Sequence, residues 1–441
     1  MAMRPGTRLL AWIMLGLLCL AYVFSMLDRV ILSLLVEPLK RDLGLTDLEV
    51  SYLQGFAFII MYSLAGLPMG YIVDRWPRIR LVAIGISLWS LMTAACGLAS
   101  RYVTLFLGRI GVGIGEATLG PAAYSLIRDS FPERRLGLAM GIYSMGGALG
   151  AGLALVVGGY LIQWMDVIAP LRLPFIGVLQ AWQLTFLFVG LPGLVVALLI
   201  ACVPEPARSD RSPSRTFSSV SRELRAFLSA NRRTLLCHHL AVGFSNVVCY
   251  GAVAWVASFF IRVHGWPIGR IGLFAGVANI VGGLIGMVGA GFVSDRLRAR
   301  GAHVRLTICM CAALLGAMAA GAFALVNSPV AAAVFFCMIM ACALVPVGVA
   351  GAALQEITPS HLVGFTSALY LFAISMIGSV GPSAIAFLGQ SFFSGQDAIR
   401  YALALALPVS FMLSAALFYA SIQPYRRSVV SSAGTVAVAL G

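Results

Sequence analysis

Long apolar runs separated by short polar segments fill most of the chain. A helix needs about 20 mostly apolar residues to cross a bilayer, and twelve runs meet that length. They cover roughly residues 9–36, 49–73, 79–100, 102–127, 135–163, 180–203, 234–262, 268–294, 304–326, 329–353, 362–389 and 397–421. The pattern predicts an all-α membrane protein with 12 transmembrane helices.

Composition agrees with this prediction and narrows the class of protein. Of the 441 residues, 60% are hydrophobic and 10% are charged, whereas a soluble domain has about 25% charged residues. So few charges exclude a soluble multidomain enzyme and a disordered protein. The nine cysteines lie in or beside apolar runs, where they behave as small apolar side chains rather than as a disulfide framework.

The distribution of basic residues predicts the orientation in the membrane. Arg4 and Arg8 precede an apolar run that is longer than the core of a signal peptide, so we interpret this run as the first helix, with its N-terminus inside. Alternate connections then hold 21 of the 30 Lys and Arg residues on the inner side and seven on the outer side. By the positive-inside rule, both termini are cytoplasmic in the cell (inner) membrane.

The net charge of +14 is explained by this topology and by contact with anionic membrane lipids, so no nucleic-acid partner is expected.

The longest inner connection divides the helices six and six. We therefore predict an N-terminal bundle at 1–203, a linker at 204–233, a C-terminal bundle at 234–425 and a short cytoplasmic tail at 426–441. Within the linker, one helical face carries apolar residues, which predicts an amphipathic helix lying along the inner leaflet. These residues are Phe217, Val220, Leu224, Phe227 and Leu228.

A short motif occurs twice at half-chain spacing. The first copy, after the second helix, contains Gly70, Asp74, Arg75 and Arg78. The second copy, after the eighth helix, contains Gly291, Asp295 and Arg296. Asp74 and Asp295 are 221 residues apart, which indicates an internal duplication. An Asp at a helix end can pair with Arg or cap a neighbouring helix, so we predict that both copies act as a cytoplasmic gate.

This repeated motif resembles the loop of the major facilitator superfamily, although Pro77 stands where that family often has Gly. The resemblance covers nearly the whole chain. It implies two pseudo-symmetric six-helix bundles, with helices 1, 4, 7 and 10 around a central cavity, and transport by alternating access.

Four ionisable residues interrupt the apolar runs: Asp28 and Arg29 in helix 1, and Arg109 and Glu116 in helix 4. Charges at such depth are costly, and their default interpretation is functional; the alternative is a static network that fixes helix 1 to helix 4. At 1.5 Å per residue, Asp28 and Arg109 lie about 24 Å from the inner edge and Glu116 about 13 Å. Asp28 and Arg29 point about 100° apart, so they face different partners.

The second half has no matching acid, because Cys249 and Cys337 stand at the positions 221 residues after Asp28 and Glu116. We therefore expect a cavity that is charged on its N-terminal side and apolar opposite.

The doublet His238-His239 stands alone, and we interpret it as a polar helix end. No Cys or His spacing suggests a metal site, and no cofactor is expected.

The Asp28-Arg29 pair and the stretch from Gly108 to Ala117 resemble the spinster-type branch of the superfamily. This resemblance implies proton-driven transport of amphipathic lipids such as lysophospholipids or sphingosine phosphate. In it, Asp28 and Glu116 carry protons, and Arg109 and Arg29 bind substrate. The expected partners are the lipid substrate, protons and membrane lipids, and the protein is expected to be a monomer.

The sequence also bears on two other classes of function. A Gly-rich stretch, Gly378-Ser-Val-Gly381-Pro382, resembles an antiporter motif, which leaves proton-coupled export of drugs or small organic anions as the alternative. That motif belongs in helix 5, where the glycines lack the proline. A membrane enzyme requires a nucleophile with its base or grouped His ligands, and the sequence offers neither.

Overall fold

The computed structural model describes residues 5–174, 177–208, 217–301, 303–359, 362–395 and 397–440. In this part of the chain, 12 helical spans are long and apolar enough to cross a membrane, which confirms the predicted all-α class. We number them 1–12: Leu9–Leu34, Asp47–Val73, Arg78–Gly97, Tyr102–Ser130, Arg134–Ile168, Ala181–Ala201, Arg232–His264, Ile268–Arg300, Val304–Leu325, Pro329–Ile357, Val363–Phe392 and Ala398–Val430.

The individual helices subdivide several spans. The first half of the chain contains α1 (Pro5–Leu34), α2 (Val36–Leu43), α3 (Asp47–Gln54), α4 (Met61–Val73), α5 (Arg78–Gly97), α6 (Tyr102–Glu116), α7 (Leu119–Ser130), α8 (Glu133–Ile168), the antiparallel strands β1 (Leu171–Leu173) and β2 (Gly177–Leu179), and α9 (Ala181–Ala201). The second half contains α10 (Phe217–Ala230), α11 (Arg232–His264), α12 (Ile268–Gly283), α13 (Ala290–Leu297), α14 (Val304–Leu325), α15 (Pro329–Ile357), α16 (Val363–Gly378), α17 (Val380–Phe392) and α18 (Ala398–Leu440).

The chain forms two compact units. Unit 1 comprises Met1–Asp210 with Val253–Ile280, and unit 2 comprises Arg211–Ala252 with Val281–Gly441. The division therefore falls in the linker, again within α11 and again within α12. Of the residues singled out above, Arg4 and linker residues 209–216 lie outside the described residues, as do the side chains of Arg8, Phe217 and Val220.

Glycine allows the helices of unit 1 to approach closely around the intramembrane charges. A Cβ atom at Gly113 would lie 2.7 Å from the carbonyl oxygen of Phe58, and one at Gly115 would lie 2.8 Å from the amide nitrogen of Trp89. Small residues permit such backbone contacts between membrane helices. The glycines of span 4 thus hold it against spans 2 and 3.

Span 4 is interrupted, although the sequence predicts one continuous run. Its first helix, α6, ends at Glu116, and α7 begins at Leu119 after a turn. Pro121 lies in the first turn of α7, where a missing backbone N–H is tolerated. The interruption places Glu116 at a helix end inside the membrane span.

Spans 2 and 8 each contain a π-helical turn, at Phe56–Ile60 and at Leu284–Gly289. A π turn inserts an extra residue into the helical repeat and is frequent at functional sites. It shifts the side chains that follow it to a new face, so the apolar periodicity of the sequence does not show which residues of these spans share a face.

The apolar core of unit 2 includes side chains from α11, α14, α15, α16 and α18. Phe227 and Leu228 of the amphipathic helix α10 pack against this core, while Arg222 and Arg225 are exposed. The apolar face of α10 is therefore partly covered by protein. At the far end, α18 continues to Leu440, so the predicted tail is helical as far as it is described.

The interpretation of the histidine doublet as a polar helix end is wrong. His238 lies inside α11 and is only 2% exposed. Its Nε2 lies 2.9 Å from the carbonyl oxygen of Ala350 in α15. A membrane helix end exposes its polar residues, whereas His238 is part of the packed interior of unit 2.

Candidate functional site

The four intramembrane charges come together in unit 1, between spans 1 and 4. Asp28 is 2% exposed, and Arg109 and Glu116 are each 1% exposed. The side chain of Arg29 remains 25% exposed. The sequence therefore located a buried charged cluster, although it did not determine which groups pair.

Glu116 is the acceptor that joins helix 1 to helix 4. Its Oε2 accepts a hydrogen bond from Arg29 Nε at 2.6 Å and another from Ser25 Oγ at 2.6 Å. Ser25 and Arg29 are four residues apart, so they share one face of α1. This contact makes Arg29 a central member of the cluster, and Ser25 is a member that the sequence analysis missed.

Asp28 and Arg109 meet through the main chain. Arg109 Nη1 donates to the carbonyl oxygen of Asp28 at 3.0 Å, which agrees with the prediction that the two residues lie at one level. Asp28 Oδ1, Glu116 Oε1 and Arg109 Nε are buried with no hydrogen-bond partner among the described residues. Each of these polar atoms remains able to accept or donate a further hydrogen bond.

Two aromatic rings of span 2 cover the guanidinium groups. Arg29 Cζ lies 4.3 Å from the ring centre of Tyr62 and 5.0 Å from that of Phe58, and Arg109 Cζ lies 4.9 Å from Phe58. Aromatic faces attract cations at such distances. Phe58 belongs to the π turn, so helical periodicity contained no signal for its position.

This arrangement separates two carboxyl groups by their surroundings. Glu116 Oε2 is held by a cation and a hydroxyl group, whereas Arg109 reaches Asp28 through the main-chain oxygen. Glu116 Oε1 and Asp28 Oδ1 are both buried without a hydrogen-bond partner among the described residues. Burying an ionised carboxylate without a partner is expensive. Whether Asp28 is ionised therefore depends on which group lies beside its Oδ1 atom. Such a dependence is what proton exchange or anion binding at this site requires.

The first copy of the repeated motif lies beside a buried ion-pair cluster in unit 1. Arg78, at the start of α5, forms an ion pair with Asp129 at the end of α7, and its Nε lies 2.9 Å from Oε1 of Glu205. Glu205 also accepts from the backbone amides of Arg78 and Ile79 at 3.1 and 2.8 Å. Glu205 thus caps the start of α5, a role that the sequence analysis considered for the Asp of the motif.

The other members of this copy are exposed at the end of α4. Arg75 Cζ lies 3.4 Å from the ring centre of Tyr71, and the carbonyl oxygen of Asp74 accepts a hydrogen bond from Arg208. No described atom lies within 4 Å of a Cβ placed on Gly70. The role of Gly70, Asp74 and Arg75 in gating remains a prediction.

The second copy has a corresponding cluster in unit 2. Glu356, at the end of α15, accepts from Arg298 at 2.7 Å, from Arg305 at 3.1 Å and from Tyr425 Oη at 2.6 Å. Asp295 lies 3.6 Å from Arg305, and Arg296 Cζ lies 4.4 Å from the ring centre of Phe292. A Cβ on Gly291 would meet no described atom within 4 Å.

Unit 1 also contains an ion-pair cluster that the sequence analysis missed. Arg262, near the end of span 7, donates to Oδ1 and Oδ2 of Asp47 at 2.7 and 2.8 Å and to Oε1 of Glu37 at 2.9 Å. Lys40 lies 2.5 Å from Asp47. More than 200 residues separate Arg262 from these partners, so no local pattern indicates the cluster.

Comparison with known proteins adds the family context. The family model of the major facilitator superfamily matches residues 18–382. An MFS-type efflux pump of Mycolicibacterium smegmatis is 26% identical over 440 residues, covering 98% of this chain and 96% of that protein. Protein spinster of Drosophila melanogaster is 24% identical over 72% of this chain and only 51% of its own length.

A solved structure shows the same fold. It is that of a bacterial homologue of the human lysosomal transporter Spinster, in an inward-facing and unoccupied conformation. The TM-score is 0.80, and the match covers 98% of this chain and 99% of that chain at 24% identity. At this level of identity the comparison shows the fold alone.

Proposed function

Because the chain belongs to the major facilitator superfamily, we propose that it is a proton-coupled transporter of amphipathic lipids that works by alternating access. Family and fold are those of membrane transporters rather than of enzymes. The observation that carries the proposal is the pairing pattern of the two buried carboxyl groups: Glu116 is bound to Arg29 through Oε2, and each group keeps one oxygen atom, Glu116 Oε1 and Asp28 Oδ1, without a hydrogen-bond partner among the described residues.

In the proposed cycle, the anionic headgroup competes with protein groups for the guanidinium groups. Arginine binds phosphate through paired hydrogen bonds, and Arg109 Nε is free of a hydrogen-bond partner among the described residues. A phosphate at Arg109 and Arg29 weakens the hold on Glu116, so that a carboxylate is released and takes up a proton. The cluster then holds substrate and proton at the same time, which couples the two fluxes.

The ion pairs at the ends of the spans supply the proposed gates. Arg262 ties span 7 to Glu37, between spans 1 and 2, and to Asp47, at the start of span 2. These contacts must break when that side of the protein opens. The clusters around Arg78 and Glu356 stabilise the opposite ends of the spans, where we place the cytoplasm.

The first experiment measures uptake of a labelled lysophospholipid into proteoliposomes with and without a pH gradient. We expect gradient-stimulated uptake that Asp28→Asn abolishes, because the amide cannot exchange a proton. The control is Asp397→Asn, whose carboxylate is 58% exposed. Gradient dependence that persists unchanged in Asp28→Asn would remove the proton role from this residue.

Export of a different class of molecule is the second candidate, and similarity to an efflux pump favours it. The same proteoliposomes distinguish the two candidates. Failure to take up lysophospholipid, together with gradient-driven movement of drugs or small organic anions, would replace the lipid substrate while leaving the proton mechanism in place.

A further inference from the structure

Four exposed arginines lie at one end of unit 2, where span 7 begins and span 12 ends. They form two pairs, Arg232 and Arg233 on α11 and Arg426 and Arg427 on α18. Among the described residues, no carboxylate forms an ion pair with Arg233 or Arg427. The proposed transport cycle, which is built on groups of unit 1, does not use these cations.

A hydrogen bond joins the two helices beside the arginines. The hydroxyl oxygen atoms of Thr234 on α11 and Ser428 on α18 lie 3.0 Å apart. Arg233 stands one residue before Thr234, and Arg427 stands one residue before Ser428. One residue corresponds to about 1.5 Å along a helix axis, so the backbones of the two arginines lie at nearly the same depth.

The opposite directions of the two helices turn these two arginines to one side. Spans 7 and 12 are an odd and an even crossing, so they run antiparallel. A residue one position before the contact is turned by about 100° around its helix. Seen from one end of the pair, the two helices turn in opposite senses, so both side chains leave the contact on the same side. Burial agrees with this geometry, because Leu235 and Tyr425, on the other side of the contact, are buried in the core of unit 2.

Exposed apolar residues continue this face toward the middle of the membrane. Leu236 and Leu240 follow Arg233 by three and seven residues, and they are 62% and 38% exposed. Ala420 precedes Arg427 by seven residues and is exposed as well. Residues at such spacings share one face of a helix. An exposed apolar face that ends in cations matches the boundary between the acyl chains and the headgroups of a bilayer.

We propose that Arg233 and Arg427 together bind the phosphate group of an anionic phospholipid in the adjoining leaflet, whose acyl chains lie along Leu236, Leu240 and Ala420. By the predicted orientation this is the inner leaflet, where basic groups attract anionic lipids. One phosphate accepts hydrogen bonds from both guanidinium groups and neutralises their repulsion. A zwitterionic headgroup brings a further cation to the same place and therefore binds less tightly.

This site is separate from the charged cluster of unit 1, so it does not depend on which substrate is transported. The bound phosphate bridges the start of span 7 and the end of span 12 beside a single hydrogen bond between hydroxyl groups. A ligand that binds only the folded protein raises its stability. The lipid should therefore stabilise the protein through this junction.

The test compares two lipids with identical acyl chains, dioleoyl-phosphatidylglycerol and dioleoyl-phosphatidylcholine, on the purified protein in an uncharged detergent. Native mass spectrometry measures the amount of each lipid bound at equal concentrations. We expect the wild-type protein to bind the anionic lipid about tenfold more tightly, because two guanidinium groups meet one phosphate. Equal binding of the two lipids by the wild-type protein would overturn the proposal.

A pair of double variants locates the preference. Arg233→Gln/Arg427→Gln should reduce it to about twofold, since neutral side chains remain at both positions. The matched control, Arg80→Gln/Arg134→Gln, removes the same charge from two exposed arginines of unit 1 and should retain the tenfold preference. An equal reduction in both double variants would assign the preference to the total charge of the protein and contradict the proposal.

Two further measurements check the nature of the ligand. Phosphatidylglycerol should raise the melting temperature of the wild-type and control proteins but not that of Arg233→Gln/Arg427→Gln; the same rise in all three would contradict the site. Inorganic phosphate at the same concentration should not displace the lipid, because it lacks acyl chains. Displacement by inorganic phosphate would identify a site for free phosphate and overturn the assignment to a lipid.

Discussion

At the scale of single residues, the buried carboxylate of Glu116 connects several groups of the charged cluster. A single oxygen atom accepts hydrogen bonds from Ser25 and Arg29, and the guanidinium group of Arg29 in turn covers Tyr62. Helical geometry alone predicts that Asp28 and Arg29 face different partners. The choice of Glu116 as the partner of Arg29 depends on the crossing of spans 1 and 4, which the sequence does not contain.

Removing the charge of Glu116 should destabilise unit 1 because it leaves a guanidinium group without its counter-ion. We expect Glu116→Gln to lower the free energy of unfolding by about 3 kcal/mol, the lower end of the range for breaking a buried ion pair, since Arg29 is partly exposed. The measurement is denaturant unfolding in detergent micelles.

The double variant Arg29→Met/Glu116→Gln is the control for this pair. It removes both charges and should recover a large part of the lost stability. The single variant Arg29→Met completes the comparison. If the stability losses of Arg29→Met and Glu116→Gln add up to the loss of the double variant, Arg29 and Glu116 do not interact energetically.

At the scale of the elements, ion pairs tie the ends of several spans to their neighbours. Arg78 connects the start of α5 with the end of α7, and Glu205 caps α5 from the segment after α9. The sequence indicates that a carboxylate near this motif can cap a helix. Residue type alone does not choose between Asp74 and Glu205, because both carry a carboxylate. Only the path of the chain after α9 decides that Glu205 reaches the cap.

Arg78→Lys tests this junction with the charge retained. An ammonium group cannot make the spread contacts of the guanidinium group with Asp129, Glu205 and Ser125. We expect a loss of about 2–3 kcal/mol in the free energy of unfolding, as for partial loss of a buried charge network. Arg80→Lys, two residues further on and exposed, should change stability by less than about 0.5 kcal/mol.

Melting temperature and uptake are measured on the same preparations of both variants. An Arg78→Lys protein as stable as Arg80→Lys would mean that the buried ion pairs contribute nothing to the junction.

At the scale of the whole chain, the duplication extends beyond the motif that revealed it. Tyr71 stacks with Arg75 in unit 1, and Phe292 stacks with Arg296 at the same spacing in unit 2. A carboxylate holds a buried arginine in each unit, at Arg78 with Asp129 and at Arg305 with Glu356. Each half thus places one arginine on an aromatic ring and pairs another with a carboxylate, although the residues differ between the halves.

The predicted orientation of the spans is open to a direct test. Because basic residues concentrate in alternate connections, a fluorescent protein fused after residue 441 should fold and fluoresce in the cytoplasm. Alkaline phosphatase fused after Trp266, between spans 7 and 8, should be active because it is exported. The reverse pattern would invert the orientation and with it the side assigned to the gates.

The sequence by itself determined the features that depend on local chemistry. Helix length follows from the extent of apolar runs, the two-fold repeat from the motif around Asp74 and Asp295, and the buried charged cluster from ionisable residues inside spans 1 and 4. These properties need no knowledge of the fold, because lipid penalises each polar group wherever it is inserted.

Only the tertiary structure decided which groups meet. The π turn that brings Phe58 to Arg29 and Arg109, the cluster of Arg262 with Asp47, and the burial of His238 against Ala350 all join elements distant in sequence. Such contacts depend on the register and crossing of whole helices. A shift of one residue in a helix turns a side chain by about 100°, so only the packed structure specifies these partners.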